Sequence, residues 1–210
     1  MSKLENPSKL LNWNIMAEFK AFAANIEVNA TTVLSFIHSM KRGQEKRLAL
    51  LEKHGIRPEE GGWYPQQEWL NAFKELSETV GEMNLLLIGM AIIENAEFPP
   101  FNSLKEGLEV IDVAYHMNHR DQNGQLLFNP ETGEKTAGIG CYDLQYYNEE
   151  ERRAIMYCHN PYPSKFDQGI ITALCRRLRP DCIKTIDVRP DLEKERRPKG
   201  GDSCTFLIKW

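Results

Sequence analysis

Apolar residues recur every three or four positions through much of the first 120 residues, which is the spacing of amphipathic helices. One regular stripe consists of Leu104, Leu108, Ile111 and Tyr115. Ser103, with Glu106 three residues later, has the pattern of a capping box, which starts a helix by satisfying its free N–H groups. The pattern therefore predicts a helix from about Leu104 to His119.

Similar stripes predict a helical layer ahead of this segment. The predicted segments are Ala17 to Glu27 and Thr31 to Lys53, as two helices or one interrupted near Asn25 to Asn29, then a helix from Pro65 to Gly81, and Met83 to Glu94. The last of these is apolar on nearly all sides, which indicates that it is the centre of the helical layer.

After Arg120 the chain changes to short segments rich in β-branched and aromatic residues, separated by turn sequences. The predicted strands are Gln125 to Phe128, Ile139 to Tyr147, Arg153 to His159, Ile183 to Val188 and Ser203 to Ile208. A helix begins at Ser164, is capped with the help of Asp167, and ends at Pro180. The charged segment from Arg189 to Gly201 is predicted to be a loop outside the core.

These segments together predict an α+β fold. Residues 1–120 form a helical layer, and residues 121–210 form an antiparallel sheet with one long helix. We expect the two regions to pack together as one compact unit.

Composition excludes several classes of protein. The net charge of −4 and the pI near 5.8 do not suggest nucleic-acid binding. The longest apolar run, Leu85 to Ile93, is too short to span a bilayer, and no signal-like segment opens the chain, so we expect a cytoplasmic protein. The five cysteines include no CxxC pair, which fits reduced thiols better than a disulfide framework.

The carboxyl-terminal third resembles the vinyl-reductase-type domain, also called the hydrocarbon-binding domain. The resemblance covers residues 139–210 and is carried by the stretches Asn160-Pro-Tyr-Pro-Ser-Lys-Phe-Asp-Gln-Gly169 and Gly201-Asp-Ser-Cys204-Thr-Phe206. It implies helices on a twisted antiparallel sheet, as in subunits of transport-particle complexes, and a sensory or small-ligand-binding role. The amino-terminal helical region is an uncharacterised extension to which the resemblance assigns no chemistry.

Some members of that family bind zinc through several cysteines and an acidic residue. Here Cys204 is the matching cysteine and Asp187 could supply the acid, whereas Ser164-Lys165 stand where another cysteine would be expected. We therefore expect Cys204 to be a buried structural residue that alternates with Phe206 and Ile208 along an inward-facing strand.

Polar residues that could form a site cluster at the end of the helix ending near His119. A ligand pocket between the helical layer and the sheet would have an apolar body and a few convergent polar groups. The predicted ligand-binding residues are Trp63, Tyr64, Tyr115, His116, His119, Arg120, Asn160 and Tyr162. We expect His116, His119 and Arg120 to face the sheet together, with the arginine paired to Asp112, Asp167 or an anionic ligand, so the ligand should be anionic or carry a carbonyl group.

Other functions remain open for the same residues. His116 and His119 could bind zinc or iron if Cys158 or His159 supplied a third ligand, which would favour a metal-dependent enzyme, although histidines at a helix end also cap its carbonyl groups. One of the two could instead bind haem, but the tyrosine-serine-arginine signature of haem nitric-oxide-binding domains is not found in the predicted strands. No catalytic residue and no cofactor is identified.

The assembly state is the last expectation. The apolar amino-terminal residues Trp13, Ile15, Phe19 and Phe22 exceed what a peripheral segment needs, which favours a homodimer that buries them. A purely structural dimerisation module is the third class of function, and it would require no cavity near Tyr115.

Overall fold

The computed structural model describes residues 17–38, 43–59, 61–95, 98–178 and 183–210. The described residues form an α+β fold, as the sequence predicts. In chain order the elements are β1 (Glu27–Asn29), α1 (Ala30–His38), α2 (Gln44–Lys53), β2 (Trp63–Pro65), α3 (Gln66–Val80), α4 (Met83–Asn95), α5 (Leu104–Met117), β3 (His119–Arg120), β4 (Cys141–Asn148), β5 (Arg153–His159), α6 (Ser164–Leu178), β6 (Asp187–Pro190), a 3-10 turn (Arg197–Lys199) and β7 (Cys204–Lys209).

In the part of the chain that the structure describes, the strands form two antiparallel sheets. The larger has the order β4-β5-β7-β6, and the smaller joins three short strands in the order β2-β1-β3. Buried residues alternate along β5 at Ala154, Met156 and Cys158, and these belong to the same core as the apolar residues of α6. One face of the larger sheet is therefore covered, as the period of two in the sequence requires.

Helices α4 and α6 pack against each other with almost no side chain between them. A Cβ atom added at Gly89 of α4 would lie 2.0 Å from the carbonyl oxygen of Phe166, and one added at Gly169 of α6 would lie 2.2 Å from that of Leu86. The two glycines thus allow backbone-to-backbone contact at the centre of the molecule.

Helix α5 begins as predicted and ends two residues early. Ser103 accepts a hydrogen bond from the N–H of Glu106, whose carboxylate accepts one from the N–H of Asn102. Asn118 is the C-cap residue of α5, and its side chain donates to the Ala114 carbonyl. His119 consequently belongs to strand β3 rather than to the helix.

The prediction of a helix over Ala17 to Glu27 is wrong. Residues 17–26 form turns, in which Phe19 and Asn25 have positive φ angles of 68° and 60°. The N–H groups of Phe19 and Ala21 donate to the Pro161 carbonyl and to the Gln67 side chain, so long-range hydrogen bonds replace the helical ones.

The sheet is also shorter than predicted at two places. Gln125 to Phe128 forms only isolated bridges, and the sixth strand runs from Asp187 to Pro190 instead of from Ile183 to Val188. Cys204 is buried and alternates with Phe206 and Ile208 in β7, as expected. Among the described residues, no helix has the length and apolar character needed to cross a membrane.

Candidate functional site

An apolar cavity lies at the junction of the helical layer and the sheet. Its volume is about 40 Å³. The lining side chains come from the helices and from the edge of the sheet, and they include Ile92, Phe98, Ile111, Ala114, Tyr115, Asn118, His119, Tyr142, Tyr162, Phe166 and Ile170. The cavity therefore occupies the position predicted for a ligand, beside Tyr115.

His119 provides one of the polar groups at this cavity. Its Nδ1 lies 2.6 Å from the Tyr115 carbonyl oxygen and must donate to it, because a carbonyl only accepts. Burial lowers the pKa of His119 to about 4, so the ring is neutral near pH 7 and Nε2 is an acceptor. The Tyr162 hydroxyl lies 2.8 Å from Nε2, and the Gln66 amide nitrogen lies 3.2 Å from it.

Two tyrosines complete this neutral array. The Tyr115 hydroxyl donates to the Ile139 carbonyl oxygen at 2.6 Å, and its ring contacts those of His119 and Tyr162 edge to face. Burial raises the pKa of both phenols, so both remain protonated. Tyr115, His119 and Tyr162 are thus brought together as predicted.

Asn160 holds the turn that carries Tyr162. Its side-chain oxygen accepts from the Tyr162 N–H at 2.9 Å and from the Arg197 guanidinium at 2.7 Å, and its amide donates to Asp167 at 3.3 Å. Asn160 is fully buried, and these bonds use its polar groups. It supports the site from behind rather than facing the cavity.

The sequence prediction missed Arg197, whose side chain is fully buried. Its guanidinium pairs with Asp167, and neither side chain is exposed. Burial lowers the pKa of Arg197, but attraction to Asp167 outweighs this effect and raises the pKa above its ordinary value. The predicted loop from Arg189 to Gly201 therefore contributes a core residue, and Asp167 serves this pair rather than capping α6. The first N–H of α6, that of Ser164, donates to Glu18 instead.

The expectation that Arg120 faces the sheet together with His116 and His119 is wrong. Arg120 follows His119 in β3 and points to the opposite face, where its Nε donates to Glu27 at 2.6 Å and its guanidinium lies 4.6 Å from the centre of the Trp63 ring. The Tyr64 hydroxyl donates to the Arg57 carbonyl and accepts from the Glu59 N–H. Trp63, Tyr64 and Arg120 are therefore absent from the cavity lining.

His116 also departs from the expected cluster. It lines a separate cleft of about 340 Å³, together with Asp112, Lys135, Cys141, His159 and neighbouring loop residues. His116 and His119 thus line different cavities. Among the described residues, no three His, Cys, Asp or Glu side chains are arranged to hold a metal ion.

Comparison with known families and with curated proteins finds no match. Among solved structures, the chain is similar to an H-NOX protein from S. oneidensis in the Fe(II)NO ligation state. The TM-score is 0.55 and the identity 11%, over 85% of this chain and 97% of that chain. A mutant of an H-NOX protein from S. oneidensis in the Fe(II) ligation state gives a TM-score of 0.54 and 12% identity, over 86% and 94% of the two chains. This similarity extends over most of both chains and shows the fold.

The iron in those two structures raises the question of whether this interior fits a haem. Pockets for drug-sized ligands have volumes of about 300 to 1,000 Å³, whereas this cavity has about 40 Å³. The rings of Tyr115, Tyr142, Tyr162 and Phe166 surround it, and Nε2 of His119 is engaged by Tyr162. The residues present therefore do not fit a haem bound to His119.

Proposed function

We propose that this protein is a small-molecule-binding sensory module whose cavity takes a small, uncharged and mainly apolar molecule. The observation that carries the proposal is the apolar cavity at the junction of the helices and the sheet, with the neutral His119 and Tyr162 pair at its wall. Apolar cavities stay dry and bind apolar molecules of matching size.

The charges near the cavity support an uncharged ligand. Arg197 and Asp167 neutralise each other, and burial keeps His119 neutral. The anionic ligand expected from the sequence depended on Arg120, which pairs with Glu27 instead. An anion would therefore lose its hydration without gaining a cation at this cavity.

The similarity to an H-NOX fold supports the same role, because the neighbour in the Fe(II)NO state binds a diatomic molecule. The vinyl-reductase-type resemblance of residues 139–210 remains a prediction, and it also favours an apolar ligand. A haem-binding sensor is the alternative, and it would require the aromatic rings around the cavity to move apart.

The test uses xenon as an apolar probe and NMR signals of the isoleucine methyl groups. We expect the methyl signals of Ile92, Ile111 and Ile170 to shift in a saturable way as xenon pressure increases, because these side chains line the cavity. Ala114→Leu, which fills the cavity, should abolish the shifts, while Ala49→Leu on the exposed face of α2 should leave them unchanged.

Two results would contradict the proposal. One is the absence of saturable shifts in the native protein, and the other is equal shifts in the Ala114→Leu variant whose circular dichroism is native. Addition of haemin provides the second arm of the experiment. A stoichiometric complex with a Soret band that is lost in His119→Gln would favour the haem alternative.

A further inference from the structure

We propose that the cleft on the other side of α5 is a second ligand site, which takes a small planar molecule whose hydroxyl or ring N–H donates to Nε2 of His116. This site is separate from the interior cavity and goes beyond the function proposed above. The ligand class follows from the volume and aromatic lining of the cleft, its unpaired acceptor and its balanced charge.

The cleft has the size of a small-molecule site. Its volume is about 340 Å³, within the range of about 300 to 1,000 Å³ that is usual for ligand pockets. Its walls come from separate parts of the chain: α5 contributes His116, the segment before β4 contributes Lys135, the end of β5 contributes His159, and the turns before β1 contribute Phe22.

His116 presents an unused acceptor to this cleft. Its Nδ1 lies 2.8 Å from the Asp112 carbonyl oxygen and must donate to it, which leaves Nε2 as the acceptor in the neutral ring. The side chain is only 4% exposed, yet Nε2 has no hydrogen-bond partner among the described residues. His116 lines the cleft, and Nε2 is the ring nitrogen that its bond to the helix backbone leaves available to a ligand.

Asp112 fixes this arrangement and balances the charge of the cleft. Its carboxylate accepts from the Tyr142 N–H at 2.8 Å and pairs with Lys135, and one oxygen lies 3.8 Å from Nδ1 of His116. The ammonium group of Lys135 is thereby neutralised. A neutral donor fits this environment better than a carboxylate or an ammonium ion, since neither charge would find an uncompensated partner.

Part of the cleft lining is aromatic. The Phe22 ring lies 4.8 Å from the His159 ring, and His159 lies directly across from Cys141 in the pairing of β4 with β5. Aromatic rings of this kind favour flat ligands through offset or edge contacts. A planar ring with one polar atom could contact these aromatic rings and donate a hydrogen bond to His116.

Phenol, toluene and sodium benzoate test the three parts of this proposal, with NMR signals of the histidine rings and the isoleucine methyls as readouts. We expect phenol to shift the His116 ring signals saturably. Toluene and benzoate should bind at least about tenfold more weakly, because toluene lacks the hydrogen-bond donor and benzoate carries a charge. His116→Leu should weaken phenol binding by about tenfold or more. His38→Leu, at an exposed histidine of α1, is the matched control and should change nothing.

A variant that leaves α5 intact provides an independent test. Ala137 is exposed on the loop that borders the cleft, so Ala137→Trp should block phenol without disturbing the core. Toluene binding as tightly as phenol, or unchanged phenol binding in Ala137→Trp, would overturn the proposal. Phenol shifts confined to Ile92, Ile111 and Ile170 would overturn it too, and would place phenol in the interior cavity. None of these three outcomes affects the xenon experiment.

Discussion

At the scale of single residues, the buried guanidinium of Arg197 holds the turn that carries Tyr162. It donates to Asp167, to the Asn160 carbonyl and side chain, and to the Tyr162 carbonyl, so the turn that positions the Tyr162 hydroxyl is fixed from behind. A buried charge with this many acceptors is stable only while its partners remain in place.

Asp167→Asn should therefore be strongly destabilising. Removing the carboxylate leaves the Arg197 charge uncompensated in the core, and the loss in the free energy of unfolding should be about 3 to 5 kcal/mol. Urea unfolding followed by circular dichroism measures it. Glu151→Gln, at the exposed ion pair with Arg153, is the control and should change stability by less than about 1 kcal/mol. Equal effects of the two substitutions would show that the buried pair has no special role.

Stability should fall as the solution becomes more acidic because of His119. Its pKa is about 4 in the folded protein and 6.5 in the reference state, so the unfolded chain binds the proton first. Between these two pKa values the free energy of unfolding should decrease by about 1.4 kcal/mol per pH unit, and above pH 6.5 this contribution should be constant.

Urea titrations of the native protein and of His119→Gln at pH 7, 6 and 5 measure this effect. The difference between the two proteins isolates His119, because Glu18 and Asp167, whose pKa values burial raises, titrate in both. The same dependence on pH in both proteins would contradict the assignment.

The residues of the interior site could be predicted only in part. Tyr115, on the apolar stripe of α5, and Tyr162, in its proline-bounded turn, were found because their local sequence determines where they point. The rule that a buried arginine needs a carboxylate predicts such a partner for Arg120, whereas the buried arginine paired with Asp167 is Arg197. The prediction for Arg120 fails because α5 ends at Met117 and the chain continues as strand β3. Consecutive side chains of a strand point to opposite faces, so Arg120 points away from the face that carries His119.

At the scale of elements, the contact between α4 and α6 determines the architecture of the core. Gly89 and Gly169 allow the two backbones to touch, and no large side chain could take either place. The same Gly169 is part of the pattern that resembles vinyl-reductase-type domains, so a packing requirement explains why glycine stands there.

Gly169→Ala should consequently destabilise the fold, since its Cβ would lie 2.2 Å from the Leu86 carbonyl oxygen. We expect a loss of about 1 to 3 kcal/mol or more in urea unfolding, the usual cost of overpacking. Gly107→Ala in α5 is the matched control, because its Cβ would meet only the movable ends of Leu178 and Leu174. That substitution should be nearly neutral, since alanine favours the helix by about 1 kcal/mol. The prediction fails if Gly107→Ala is the more damaging of the two.

Most elements in which apolar residues recur at a regular spacing over a long segment could be predicted from the sequence. Segments whose structure depends on distant partners could not. Helices α3 to α6 follow the stripes in the sequence, and β5 has the predicted bounds. Residues 17–26 carry a helical stripe as well, but the N–H of Phe19 bonds to Pro161 and that of Ala21 to Gln67. No local pattern contains such long-range partners, so they can be found only in the folded chain.

At the scale of the whole molecule, the homodimer remains a prediction. Phe19 and Phe22, two of the four apolar residues on which it rests, contact other parts of the same chain, with Phe19 against the core and Phe22 against His159. Trp13 and Ile15 lie outside the described residues. We expect a dimer mass in light scattering at micromolar concentration and a shift towards monomer in Trp13→Ser. A monomer mass for the native protein would end this hypothesis.

The hydrogen bond from Tyr115 to Ile139 joins the interior cavity to the loop that borders the cleft. Tyr115 and His116 are consecutive on α5, and their rings touch edge to face at 5.3 Å, so a ligand on either side acts on the same turn of helix. Any effect of xenon on the affinity for phenol must equal the effect of phenol on the affinity for xenon. We expect xenon to change the affinity of the native protein for phenol by a measurable factor, and this factor should approach one in Tyr115→Phe. A factor of one in the native protein would show that the two sites are independent. If the two sites are coupled, the occupancy of each site depends on the concentrations of both ligands and not on one concentration alone.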